Sequence, residues 1–417
     1  MIVFPDVASL MRGESPMAGV TVFPSASTEL VKMDFLFDAG YMHQPQPLCA
    51  EGAARLMAVS TRKMDAQGLA EFMDRRGVVI ESSANLRKSS LTVYTHRRYA
   101  EEVLGVVHDM LTAPAMDRDD FEVWRVAKRQ RLEVNRRQSA AVARSIWYAG
   151  LFGSDHPLGM TATAQDADRL EVEMVREFFC GHYATRECQV VLSGRVDDVI
   201  LSQVGDFFGD MAGMCADDGM GCESVSGMYG AWRGEQCVEG AQQVSLRVGR
   251  VLPQEWRCTP RDFAHFLMLT SVLGGYFGSR LMTNLREDKG YTYGVGANVQ
   301  QYAGCRVFYI TADVAAGAAD AAEGEVMNEL RRLCETPVDE GELETVKCVL
   351  CGDAMRALDG VFERSDRYCD LLEAGYSDLF GGGFGDALRE ATPEGLQEVA
   401  RMWMEPSLMS VGRAGAL

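Results

Sequence analysis

Apolar and polar residues alternate from Val31 to Phe37, the period of a strand with an inward face, and Gln242 to Val248 repeats the pattern in the second half of the chain. From Ser279 to Glu287 the composition is that of a helix, launched by the turn Leu273-Gly274-Gly275-Tyr276-Phe277-Gly278 and closed by Gly290 as its cap. After it, Tyr291-Thr292-Tyr293-Gly294-Val295-Gly296-Ala297 alternates aromatic or branched residues with small ones and predicts a strand rising from the helix end. This order sets Arg286 on the helix and Tyr293 on the strand, where both are expected to face one cleft.

The two halves read as copies. The segment Asp74 to Asn85 lies over Glu287 to Asn298, with Gly77 on Gly290, Ala84 on Ala297 and Asn85 on Asn298 at one constant offset. Two amphipathic helices follow in each half, joined at Thr112-Ala113-Pro114 and at Thr336-Pro337 with acidic residues just beyond. The offset has grown by then, as small loop insertions between duplicated units would make it. Each half predicts strand, helix, strand, strand, helix, helix, further helices and a closing strand. Strands followed by runs of helices favour an α+β fold, with helices on one face of an antiparallel-rich sheet. The stretch Cys215 to Gly227 is rich in Gly, Ser and Asp without apolar periodicity, which predicts a linker over 215–235 between domains at 1–214 and 236–417.

At 417 residues, 47% hydrophobic and 24% charged, the chain is long enough to bury more than one core. Its formal charge of −19 disfavours nucleic acid or an anionic membrane surface as a partner. Met1 to Asp6 lacks the basic start of a secretory signal and no stretch is apolar enough to span a bilayer, so a cytoplasmic location is expected. The 12 cysteines are scattered without the spacing of a disulfide scaffold, and Cys348-Val349-Leu350-Cys351 is a lone pair inside a helical stretch. Gly381 to Asp386 has no following Lys-Ser/Thr and reads as a loop between helices. No Gly-x-Ser-x-Gly elbow or Walker loop is present.

The run Leu273 to Leu281 followed by Leu285-Arg286-Glu287-Asp288-Lys289-Gly290-Tyr291-Thr292-Tyr293 closely resembles the C-terminal half of the M16 metallopeptidases, the family of insulin-degrading enzyme, pitrilysin and the mitochondrial processing peptidase. The resemblance implies two homologous domains facing each other as a clamshell. It also implies that Arg286 and Tyr293 hold a substrate backbone near the scissile bond. His156-Pro157-Leu158-Gly159 is similar to a recurrent turn of the family, where the His packs or shapes the loop.

M16 peptidases carry His-x-x-Glu-His on the helix after the first strand, two zinc ligands and a general base, with a distant Glu completing the ligand set. The matching segment here is Gly52-Ala53-Ala54-Arg55-Leu56-Met57-Ala58-Val59, which puts Arg55 and Val59 at the ligand positions and Ala58 at the base position. None of the three can perform those roles. Glu133 falls near the distant ligand position, and the six histidines include no pair four residues apart. No metal is therefore expected in this chain. The resemblance implies a non-catalytic subunit that supplies Arg286 and Tyr293 to a zinc-bearing homologue, the two forming a heterodimer that degrades or processes peptides. The alternative is an inert M16-like scaffold or peptide-binding protein.

Overall fold

The computed structural model describes residues 7–183, 188–208, 230–252, 260–302, 305–374 and 383–417. Met1 to Asp6, the expected linker residues from Cys215 to Gly227, and Gly381 with Gly382 lie outside the described residues. The first half runs α1 (Val7–Leu10), β1 (Glu14–Met17), β2 (Val20–Pro24), β3 (Leu30–Phe37), α2 (Cys49–Leu56), α3 (Ala66–Asp74), β4 (Val79–Ala84), β5 (Ser89–His96), α4 (Ala100–Thr112), α5 (Arg118–Asn135), α6 (Ser139–Phe152), α7 (Ala164–Arg169), α8 (Val172–His182), β6 (Gln189–Gly194) and α9 (Asp198–Phe208). The second runs β7 (Arg233–Cys237), β8 (Gln243–Leu252), α10 (Pro260–Gly274), a widened π-helical segment (Met282–Asp288), β9 (Thr292–Tyr302), β10 (Cys305–Ala315), α11 (Ala319–Glu335), α12 (Glu340–Ala357), α13 (Val361–Ala374), α14 (Phe384–Glu390), α15 (Pro393–Trp403) and β11 (Ser410–Gly415).

Two sheets result, ordered β1-β2-β6-β3-β5-β4 and β7-β11-β8-β10-β9. They share one plan. β3 and β8 sit centrally, each antiparallel to its two neighbours, and β2 and β7 each run parallel to the closing strand of their half. The duplicated glycines behave as copies as well: Gly77 and Gly290 have φ of +63° and +64°, the left-handed turn that glycine adopts without a Cβ clash. The joint residues Asp117 and Asp339 stand, in matching extended conformations, before helices of 18 residues each, α5 and α12. β7 begins at Arg233, inside the stretch expected to be linker, because the outer edge of β11 is open there and pairs Val411 with Arg233 through Gly415 with Cys237. Phe384 to Asp386, expected to be loop, opens α14 instead, entered through Gly383 at φ +108°.

Each sheet packs its inner face on helices of its own half. Val31, Met33, Phe35 and Phe37 of β3 join one core with α2, α4 and α8, while Val244, Leu246 and Val248 of β8 join the other with α10, α11 and α15. The opposite faces are covered too, which the expectation of helices on one face did not include. The two halves exchange a helix. α6 lies on the sheet of the second half, with Trp147, Tyr148, Leu151 and Phe152 against Val251 and Val307. α13 lies on the sheet of the first, with Val361, Tyr368, Cys369 and Leu372 against Phe23, Leu36 and Val191.

Close approach at α6 requires a small residue on β11. A Cβ on Gly412 would stand 2.8 Å from Trp147 Cβ. Trp147, fully buried, also donates from Nε1 to the Ser410 carbonyl at 3.2 Å. Under α13 the contact is polar. Lys32 Nζ, fully buried on the face of β3 opposite Val31 and Met33, donates to Asp34 Oδ2 at 2.7 Å, Asp366 Oδ1 at 2.5 Å and Ser365 Oγ at 3.3 Å. Burial alone would lower the Lys32 ammonium, but the Asp34 and Asp366 carboxylates outweigh it and hold it above its ordinary value. Ser193 and Ser365 share a hydroxyl contact at 3.0 Å beside it.

Because removing one partner of a buried pair strands the other charge, Lys32→Met should cost about 3 kcal/mol of unfolding free energy by urea titration. Lys32→Met with Asp34→Leu should recover most of it, since a matched apolar pair leaves no stranded charge. Equal losses in the single and double variants would contradict this role for Lys32.

Candidate functional site

The segment carrying Arg286 and Tyr293 is held from three sides. Before it, Gly274 packs so closely on β9 that a Cβ would lie 2.6 Å from the Ala297 amide nitrogen. On the helix, Arg280 makes a two-pronged contact with Glu342 of α12 at 2.9 and 2.6 Å. Asn284 Nδ2 donates to Glu325 Oε2 at 3.1 Å and Glu329 Oε1 at 2.9 Å, both on α11, and Lys289 pairs with Glu325 at 2.7 Å. At its end Gly290 turns left-handed and the Tyr291 amide donates back to the Leu285 carbonyl at 2.8 Å, which satisfies an orphan carbonyl of the last turn.

These contacts present Arg286 at the surface. Its guanidinium lies over the Phe277 ring, 4.7 Å from the centroid, a cation–π pairing that orients the side chain without neutralising it. Phe277 is itself 64% exposed, raised on the Gly-rich turn.

Tyr293 owes its position to a β-bulge. β9 and β10 pair Val314 with Thr292 and Ala312 with Val295, so Tyr293 and Gly294 together oppose Asp313 alone. A two-against-one bulge re-aims the side chain it carries. Thr292 clamps this one, its Oγ1 lying 2.7 Å from the Asp313 carbonyl, 2.8 Å from the Gly294 carbonyl and 3.1 Å from the Gly294 amide that donates to it. Tyr293 is left 90% exposed. Arg286 is thus half-exposed before the Gly290 turn and Tyr293 exposed after it, and each side chain is a hydrogen-bond donor.

The degenerate zinc positions lie elsewhere. Arg55 is exposed on α2, and Ala58 and Val59 follow in the turn beyond its end at Leu56. A guanidinium, a methyl and an isopropyl group offer zinc no donor, so these positions do not fit the metal. Among the described residues, no three His, Cys, Asp or Glu side chains converge as a metal cluster. Cys348, exposed, and Cys351, buried, both lie on α12. His156 accepts from the Leu158 amide at 3.0 Å and stacks on Phe152, a loop-shaping role that matches its reading from the sequence.

A cavity of about 1290 Å³ opens between the two halves, lined by α5, α6, the end of β9 and α13. Glu133 and Asn85 are on its wall, and Arg286, Tyr293, Arg55, Ala58 and Val59 are not. The structure therefore separates the Arg286/Tyr293 surface from the cavity. Sequence reasoning missed five other charged residues that line it, Arg136, Arg144, Arg367, Asp370 and Glu373; all but Arg136 belong to the exchanged helices, and none gives a local motif.

Glu373 Oε2 accepts from Asn85 Nδ2 at 2.6 Å across the seam of the two halves. Burial pushes its carboxyl up to about 7, with the Asn85 hydrogen bond and Lys88 opposing and Asp370 adding to the rise. A carboxyl raised on folding holds a proton that the unfolded chain releases from about pH 4.5 upward, so its contribution to stability falls as pH rises to about 7. Urea unfolding of the wild type should lose about 2 kcal/mol between pH 5 and 8 relative to Glu373→Gln, which cannot titrate. Parallel pH profiles of the two proteins would contradict this.

Comparison with known proteins gives these sites a context. Residues 169–350 match the family described as "Peptidase M16 inactive domain". The chain is 24% identical over 381 residues to an uncharacterized zinc protease of Streptomyces coelicolor, covering 86% of this chain and 79% of that one. It is 25% identical over 256 residues to an uncharacterized zinc protease of Mycobacterium tuberculosis, covering 60% and 56%. Among solved structures, a protease from Helicobacter pylori superposes with a TM-score of 0.84 at 15% identity over 97% of this chain and 99% of that one. A peptidase M16 inactive domain from Pseudomonas fluorescens superposes with a TM-score of 0.82 at 16% identity, covering 95% and 96%.

Proposed function

The chain belongs to the M16 peptidase family, and from that premise we propose that it is the zinc-lacking subunit of a two-chain peptidase. It supplies Arg286 and Tyr293 to a homologous partner that carries the metal. The observation that supports this reading best is the contrast between its two candidate sites. At the zinc-motif positions stand Arg55, Ala58 and Val59, none able to ligate a metal or act as the base. The Arg286/Tyr293 turn is instead built in full, with its left-handed glycine, its bulge and the Asn284 clamp to Glu325 and Glu329.

The division of labour is chemically sound. Water activation needs the metal and its base on one chain, whereas donors aimed at a peptide carbonyl need only be held opposite. Arg286 is half-exposed and Tyr293 exposed, and neither carries an ion pair with a carboxylate among the described residues, so their donors remain available to an extended peptide. No helix among the described residues is long and apolar enough to cross a membrane.

The test is activity of the reconstituted pair. Arg286→Ala and Tyr293→Phe should each lower kcat/KM for peptide cleavage by roughly 10- to 100-fold, the range for losing one or two donors to a developing charge. Both variants should co-elute with the partner as the wild type does. Undiminished turnover in both would contradict the assignment.

A further inference from the structure

One end of the cavity between the halves has a surplus of hydrogen-bond donors. Arg144 of α6 lines it, its guanidinium 5.5 Å from the centroid of the Tyr148 ring. The Tyr148 and Tyr302 hydroxyls meet at 2.8 Å across the seam between α6 and β9. Behind them Arg247 of β8 lies over the Tyr309 ring at 5.6 Å, and its buried Nε has no hydrogen-bond partner.

Among the described residues, neither guanidinium meets a carboxylate or any other hydrogen-bond acceptor. The tyrosine pair holds two hydroxyl protons, and their mutual contact uses one. Burial keeps both phenols protonated well above neutral pH, so they act as donors. Burial, together with the like charge of Arg144, also holds the Arg247 guanidinium below its ordinary value. Two cations and a spare phenol proton converge where buried polar groups are ordinarily satisfied. The opposite wall carries Asp370, 3.7 Å from the Arg367 guanidinium, and Glu373, and Arg136 also lines the cavity, so Arg144 is one of three guanidiniums there and the one set beside the tyrosine pair. An anionic group at this end of the cavity meets in Arg144 a cation with no carboxylate partner among the described residues, whereas Arg367 is already paired with Asp370.

We propose that Arg144, Tyr148 and Tyr302, backed by Arg247, which does not itself line the cavity, form a carboxylate-binding subsite that takes the C-terminal carboxylate or an acidic side chain of a peptide. The subsite rests on the reading of this chain as a peptide-handling subunit. It is separate from the Arg286/Tyr293 surface, since neither of those residues lines the cavity.

The test is calorimetric titration of the purified full chain with three unlabelled hexapeptides. One is neutral with a free C-terminus, one is the same sequence amidated, and one is amidated with a single internal Glu. At least one carboxylate-bearing peptide should bind about tenfold more tightly than the neutral amide, and Arg144→Gln should remove that advantage while leaving the thermal midpoint unchanged. Preference for the first peptide identifies the C-terminus as the source, and preference for the third identifies the side chain. Tyr302→Phe should reduce the advantage part of the way. Equal binding of all three peptides, no binding by any, or an undiminished preference in Arg144→Gln would each overturn the subsite. Those results leave the peptidase assay of Arg286 and Tyr293 variants in the complex untouched, so failure here is distinguishable from failure of the split-peptidase reading.

Discussion

The fold depends on a reciprocal exchange of helices. A strand buried on both faces needs cover on both, and each half supplies helices for only one face of its own sheet. The second face is completed by α6 or α13 from the other half, so neither half closes its core alone. Trp147 against Gly412 makes one side of the exchange, a bulky ring accepted by a strand position without a Cβ. The buried Lys32 with Asp34 and Asp366 makes the other. The first is dispersion and apolar burial. The second is an ion pair whose partners come from both halves, so its attraction outweighs desolvation only when the halves are correctly docked.

The same exchange makes the cavity. α6 and α13 cross between the sheets and bring the cavity its charges, Arg144 on one and Arg367, Asp370 and Glu373 on the other. The polarity of the chamber is thus a consequence of the topology. The Arg286/Tyr293 turn follows a different logic, since it lies within one half and is fixed by local devices: a tight glycine, a bulge and hydrogen bonds to α11. Local devices leave their mark in the sequence.

That contrast explains what the chain discloses before folding. The duplicated plan was legible because Gly77 and Gly290 are required by backbone conformation, and both adopt the left-handed turn. The β3 and β8 strands were legible from period-two alternation, and the degenerate zinc-motif positions only through the resemblance to the M16 family. Lys32 and Asp34 were not, because an alternating Lys and Asp on a strand have the pattern of a solvent face until a helix from elsewhere covers them. Arg144, Arg247 and Tyr302 were hidden for the same reason, lying far apart in the chain and meeting only across the seam. The start of β7 at Arg233 was hidden as well, since its polar sequence pairs only because β11 offers an open edge.

Whether this chain works beside a metal-bearing homologue is read out by native affinity capture with the full chain as bait, followed by mass spectrometry of the intact complex. A second chain of similar size, containing His-x-x-Glu-His, is expected at equal stoichiometry. Recovery of the bait alone, as monomer or self-associated oligomer, would contradict it and leave a scaffold or peptide-binding protein in its place.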